Sequence, residues 1–153
     1  MQLLASSEFD ALVELQGILL SWPGIDARKP DYGAPPSAFA FIEALTWFSQ
    51  TIRSGAWTYF EAVPLEKQTA MLGALRVLAP PEVTQMYKLG MEHWRDADTM
   101  KKLDCWVMDN ESTCNAWLRA LVQLHKNGPS EVQSTNSIVL GSPTMKSDRR
   151  RVQ

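Results

Sequence analysis

The sequence predicts an all-α fold, a compact bundle of five or six helices followed by a flexible C-terminal tail. Three observations carry this expectation. Apolar residues recur at i, i+3, i+4 and i+7 in one segment after another, the period of a helix that buries one face. Pro and Gly cluster between those segments, where helices must stop. No stretch shows the sustained alternation of a strand beside turn residues, and no repeat of solenoid length is visible. With 153 residues, 45% of them apolar and 21% charged, the chain is expected to form one domain with a real core.

In the first helix Ser7 is the expected N-cap and Asp10 the acidic residue of the first turn. Phe9, Leu12, Val13, Leu19 and Leu20 form its apolar stripe, interrupted by Gln16. Trp22-Pro23-Gly24 ends it, and residues 23–36 hold four Pro and two Gly, too many for a regular element. Ser37 is expected to open the strongest helix, with Ala38, Phe41, Ile42, Leu45, Phe48 and Ile52 on one face. Ser54-Gly55 closes it, since Gly admits the left-handed residue that follows many helices. Residues 56–60 (AWTYF) read as an apolar connector or a further helical turn, packing inward.

Pro64 suits the first position of a third helix, lined by Leu65, Leu72, Leu75 and Leu78. Pro80-Pro81 separates it from a fourth, with Val83, Met86, Tyr87, Gly90 and Trp94 buried. Residues 95–100 read as a polar link and Leu103, Trp106 and Val107 as a short fifth helix. Residues 109–113 read as a turn. Trp117, Leu118, Leu121, Val122 and His125 mark a sixth helix, ending at Asn127-Gly128-Pro129. The division is therefore a helical domain over 1–126 and a tail over 127–153. In the tail Ser, Thr, Gln, Pro and Gly dominate, and Ile138-Val139-Leu140 is the sole apolar cluster. That is too little burial to offset the entropy of ordering the segment.

The formal charge of −2 is unevenly distributed. Residues 1–126 hold 11 Lys/Arg against 15 Asp/Glu, and residues 127–153 hold 4 against 2, including consecutive Arg149, Arg150 and Arg151. An acidic body argues against direct nucleic-acid binding, which leaves a basic footprint. MQLLASSEFD has neither the basic nor the long apolar region of a signal peptide. No apolar run is long enough to span a membrane. With Cys105 and Cys114 its only cysteines, the chain is expected to be cytoplasmic, with free thiols.

Reactive groups are few. His93 and His125 are the only histidines, and Glu92-His93 lacks the second His of a zinc-protease helix. The spacings of Cys105, Cys114 and His125 match no familiar zinc site. Asp96-Ala97-Asp98 lacks the Gly and closing Glu of a calcium loop. No phosphate-binding loop, dinucleotide fingerprint or nucleophile elbow is present. No catalytic residue, metal ligand or cofactor is predicted.

The informative stretch is residues 92–111. Six acids, Glu92, Asp96, Asp98, Asp104, Asp109 and Glu111, are interleaved there with Arg95, Lys101 and Lys102 and with Trp94 and Trp106. One reading is a solvated helix–link–helix surface whose Trp residues belong to the core. The other is an acidic docking face, whose carboxylates steer a basic partner and whose Trp anchors it.

The stretch FSQTIRSGAWTYFEAVPLEKQTAMLGALRVLAPPEV, with Gly55, Tyr59 and Phe60 as matching points, resembles a family of small all-helical bacterial proteins described as DNA-mimic-like. The resemblance runs from Phe48 through Trp94, about a third of the chain. It joins a helix end to a Gly-containing turn, an aromatic pair and a helix–Pro–helix segment. Arg53-Ser54-Gly55-Ala56 stands where that family has an Asn-rich, double-Gly turn, and the body is less acidic than a DNA mimic. The resemblance thus implies an all-α protein-binding domain more than mimicry itself.

The leading expectation is a non-catalytic inhibitor, an immunity protein that neutralises a cognate bacterial toxin by binding it as a basic protein partner. One alternative is a DNA mimic or regulator that sequesters a nucleic-acid-binding protein. Another is an enzyme without a recognisable motif.

Overall fold

The computed structural model describes residues 7–126, and every regular element among them is a helix. These are α1 (Ser7–Leu20), α2 (Pro36–Ser54), α3 (Ala56–Ala62), α4 (Leu65–Leu78), α5 (Pro81–His93), α6 (Ala97–Asp109) and α7 (Glu111–Lys126). The all-helical class agrees with the periodicity, but the count among the described residues is seven. The side chains of Ser7 and His125 and the whole of residues 127–153, on which the first cap, part of the last stripe and the tail were predicted, lie outside what is described.

The added helix is α3. Its buried residues Ala56, Tyr59 and Phe60 follow i, i+3, i+4 spacing, a stripe too short to stand out in the sequence. Only Gly55 separates α3 from α2, at φ 94°. A Cβ on Gly55 would lie 3.1 Å from Cδ1 of the exposed Trp57 ring, so the backbone angle is what calls for glycine.

Proline opens three helices. Pro35, Pro64 and Pro80 precede α2, α4 and α5 with φ between −54° and −57° and ψ of 144–145°, and none supplies a side-chain cap. Their rings fix the chain's angle of entry. Two expected starts therefore move. Pro36 takes the first turn of α2 ahead of Ser37, and Pro64 is the residue before α4 rather than its first.

The expected links shrink as well. Asp96 caps α6 by accepting a 3.0 Å hydrogen bond from the Thr99 amide, so the helix starts inside the predicted polar link. The predicted turn over 109–113 reduces to Asn110.

α2 is the axis of the molecule, with α1, α3, α4, α6 and α7 around it. Eleven of its 19 residues are buried, more than one amphipathic face supplies, as expected of a helix enclosed on several sides. The peripheral α1 corrects the expected stripe. Phe9, Leu12 and Leu19 are buried, whereas Val13 is 43% and Leu20 45% exposed. α1 is apolar around most of its surface, so periodicity alone leaves its rotation open. Gln16 fixes it, its Nε2 donating to the Ile42 carbonyl (2.8 Å) and to Thr46 Oγ1 (2.9 Å). On α4, Leu65 is likewise exposed and Met71 is buried in its place.

A polar network crosses the core. Glu43, buried on α2, accepts hydrogen bonds from Tyr32 and from Tyr59 (2.8 Å). The Tyr59 and Tyr87 hydroxyls are 3.0 Å apart. Because the Tyr59 proton points to Glu43, Tyr87 is the donor to Tyr59. Tyr32 holds φ 58°, unfavourable for a bulky residue, and its ring is pinned against Phe39 and beneath Lys67 Nζ. The Pro-rich loop is thereby tied to the core.

Candidate functional site

α6 carries four of the eight predicted docking residues, and α6 with the corner before it presents the set on two sides. Trp94 and Asp104 face α3. Asp98, Trp106 and Asp109 face an open hollow beside Met86 of α5. Asp96 sits at the helix start, and Glu92 and Glu111 line neither surface. The single acidic face expected from residues 92–111 is therefore divided, because residues close in sequence lie about 100° apart around a helix.

Several of these carboxylates already have work within the fold. Asp104 Oδ1 accepts a 2.7 Å hydrogen bond from the Ala56 amide, which holds the first turn of α3. The Asp96 carboxyl is held below its ordinary value by the Thr99 hydroxyl and then by the Thr99 amide. Glu92 is 3.8 Å from Lys88, one turn back on α5. Trp106 stacks on the buried ring of Trp47 (6.4 Å between centroids, 16° between planes), and its Nε1 donates to Glu82 at 2.8 Å. Asp98 and Asp109 are exposed, with Lys101 and Lys102 in the same hollow.

The better-formed surface is the groove between α3 and the α5–α6 corner, a cavity of about 440 Å³. Trp57 of α3 and Trp94 of the corner line it, with Met100 of α6 between them and Glu61, Arg95, Lys101 and Asp104 as its charged groups. Trp57 is 45% exposed. Trp94 is half-buried, and the Arg95 guanidinium lies over its ring at 4.3 Å. A cation–π contact of this kind at an exposed site contributes about 0.5–1 kcal/mol.

Trp57 and Glu61 are the functional candidates that sequence reasoning missed. Trp57 was expected to pack inward with its apolar neighbours, yet the buried stripe of α3 runs through Ala56, Tyr59 and Phe60 and leaves it outside. Its position off that stripe was the available signal, as was Glu61 one turn further along the same side. In and beside the Pro-rich loop, Tyr32 is committed to Glu43, while Trp22 is 42% exposed.

The groove brings the Gly55–Phe60 turn and the acidic segment together, two features 30 and more residues apart in the chain. Its aromatic walls and mixed-charge rim suit the desolvated contact of a protein interface. Asp104, its half-buried carboxylate, is committed to the backbone. Among the described residues no group of three or more His, Cys, Asp or Glu converges as a metal site would require. None of the described helices is long and apolar enough to cross a membrane. Comparison with protein-family models, with curated proteins and with solved structures gives no match to this chain.

Proposed function

We propose that this protein is a non-catalytic protein-binding inhibitor that docks a basic partner through the Trp57–Trp94 groove, with an immunity role against a bacterial toxin as the specific form. The observation that carries the reading is the pairing of a 45% exposed Trp57 with a half-buried Trp94 across one groove. Trp and Arg dominate the residues that carry binding energy at interfaces. Glu61 and the acidic body supply attraction for a basic surface.

A nucleic-acid mimic would need carboxylates in a continuous row. Here Asp104 turns inward to α3, and Lys101 and Lys102 lie beside Asp98 and Asp109. That arrangement favours a conventional docking surface.

The test has two stages. Affinity purification from the native cell with mass spectrometry identifies the partner, and its activity is then assayed with the purified chain. The reading expects a basic protein whose activity falls on binding. Trp57→Ala should weaken binding by about 2 kcal/mol or more. Wild-type affinity in folded Trp57→Ala and Glu61→Lys variants would remove the groove from the interface.

A further inference from the structure

Within the Trp57–Trp94 groove the acidic groups gather at Trp57. Asp104 Oδ2 lies 3.5 Å, and Cδ1 and Nε1 of Trp57 lie 3.1 and 3.2 Å, from the place a Cβ on Gly55 would take. Carboxylate and indole edge therefore meet at the start of α3. Glu61 follows Trp57 by four residues, one turn further along the same side of that helix. The basic groups are Arg95, whose guanidinium already covers the Trp94 ring at 4.3 Å, and Lys101, one turn before Asp104 on α6.

The carboxylates keep bonding capacity that the fold does not use. Asp104 Oδ1 is taken by the Ala56 amide, but Oδ2 accepts no hydrogen bond among the described residues. Glu61 is exposed and has no ion-pair partner among them. Arg95 and Lys101 line the same cavity, yet neither pairs with either acid within 4.0 Å.

We propose that the groove receives one arginine side chain of the partner, its guanidinium stacked on the Trp57 ring and donating to Asp104 Oδ2 and Glu61. The proposal rests on the groove being the docking surface, and it names the group that enters. An indole face beside two unpaired carboxylates attracts a cation. A planar guanidinium can lie flat on the ring while its in-plane N–H groups reach acceptors at the edge. A tetrahedral ammonium cannot do both at once. The opposite wall already makes the same pairing within the chain, Arg95 on Trp94. The charges of Arg95 and Lys101 disfavour a second cation at Trp94 and leave Trp57 as its seat. A cavity of about 440 Å³ has room for one such side chain.

The test titrates the isotope-labelled full chain with N-acetyl-arginine methylamide, followed by nuclear magnetic resonance. Matching derivatives of citrulline, which keeps the shape without the charge, and of lysine are the comparisons. The indole N–H signal of Trp57, assigned by its loss in Trp57→Phe, should shift saturably at millimolar arginine derivative. Citrulline should bind on the order of tenfold more weakly, and lysine more weakly than arginine. Asp104→Asn keeps a carbonyl oxygen for the Ala56 amide but turns an amide donor toward the guanidinium. It should weaken arginine binding on the order of tenfold, and Glu61→Gln by about two- to fivefold, with helical circular dichroism unchanged. The indole of Trp22, 42% exposed and outside the groove, should not shift. Equal binding of citrulline or lysine, equal shifts at Trp22, a flat titration, or indifference to both substitutions would overturn the proposal. These derivatives need no partner, so a flat titration strikes the arginine slot alone. The docking reading is decided separately, by the partner's affinity for Trp57→Ala.

Discussion

The carboxylate of Asp104 on α6 holds the backbone N–H of Ala56, the first residue of α3, at 2.7 Å. A residue that reads in the sequence as one of a row of solvent-facing acids thus anchors a helix some fifty positions away. Asp104→Ala should cost about 0.5–2 kcal/mol, the range for losing a helix N-cap, and Asp104→Asn should recover most of it through its remaining carbonyl oxygen. The exposed Asp98→Lys and Asp109→Lys should each stay within about 0.5 kcal/mol of wild type. Urea unfolding separates the two classes. It also selects the charge reversals that probe partner binding without disturbing the fold.

Gly90 lets α5 approach α3. A Cβ there would fall 2.2 Å from Cε2 of Phe60, whose ring is buried and cannot swing aside, and 3.0 Å from Cδ2 of Leu103. Gly90→Ala should destabilise by about 1–3 kcal/mol despite the better helix propensity of alanine. At Gly73, where nothing lies within 4 Å of the added carbon, the same change should stabilise by about 0.4–1 kcal/mol. Equal shifts in thermal melting for the two variants would show that the α3–α5 packing is looser than described.

The three tyrosines of the chain, Tyr32, Tyr59 and Tyr87, all ionise above the ordinary tyrosine value. In each, burial is the largest cause, and the Glu43 carboxylate adds to it. Unfolded tyrosines lose their protons near pH 10. Above that pH the unfolded chain therefore binds fewer protons than the native one, and stability falls as pH rises. Below pH 10 these groups contribute no slope. Absorbance at 295 nm should stay flat in the native protein at pH 10–11 and rise together with loss of helical circular dichroism. A smooth rise at pH 10 without unfolding would mean that the Glu43 network is open to water.

Cys114 is buried, and its thiol is pushed up to about 12, chiefly by burial and then by the charge of Glu82, whereas Cys105 is exposed. An alkylating reagent at pH 8 should modify one thiol in the native protein and two in denaturant, since the thiolate is the reacting species. Mass spectrometry should place the native label on Cys105. Rapid labelling of Cys114 would indicate that α7 frays from the bundle.

The helical class and the inner face of α2 were legible in the sequence because period and punctuation are local properties. Phe41, Leu45 and Phe48 repeat at helical spacing within a single segment, and Pro and Gly mark its ends wherever the rest of the chain lies. The central place of α2 was not legible there, since its stripe reads as a single face and the burial of Phe39, Ala40 and Trp47 beyond it depends on the helices packed around it.

What only the tertiary structure decided concerns residues far apart in the chain. Val13 and Leu20 are as apolar as Leu12 and Leu19, and the neighbouring Ile42 and Thr46, through Gln16, choose which pair is buried. Asp104 and Asp98 are both acids on one short helix. The position of the Ala56 amide makes the first a cap, while the second faces water. Trp57 and Trp94 lie 37 positions apart in the sequence and form one groove only once α3 and α5 pack together. Periodicity fixes the residues that share a face of one helix, but the direction each face points is set by the other helices.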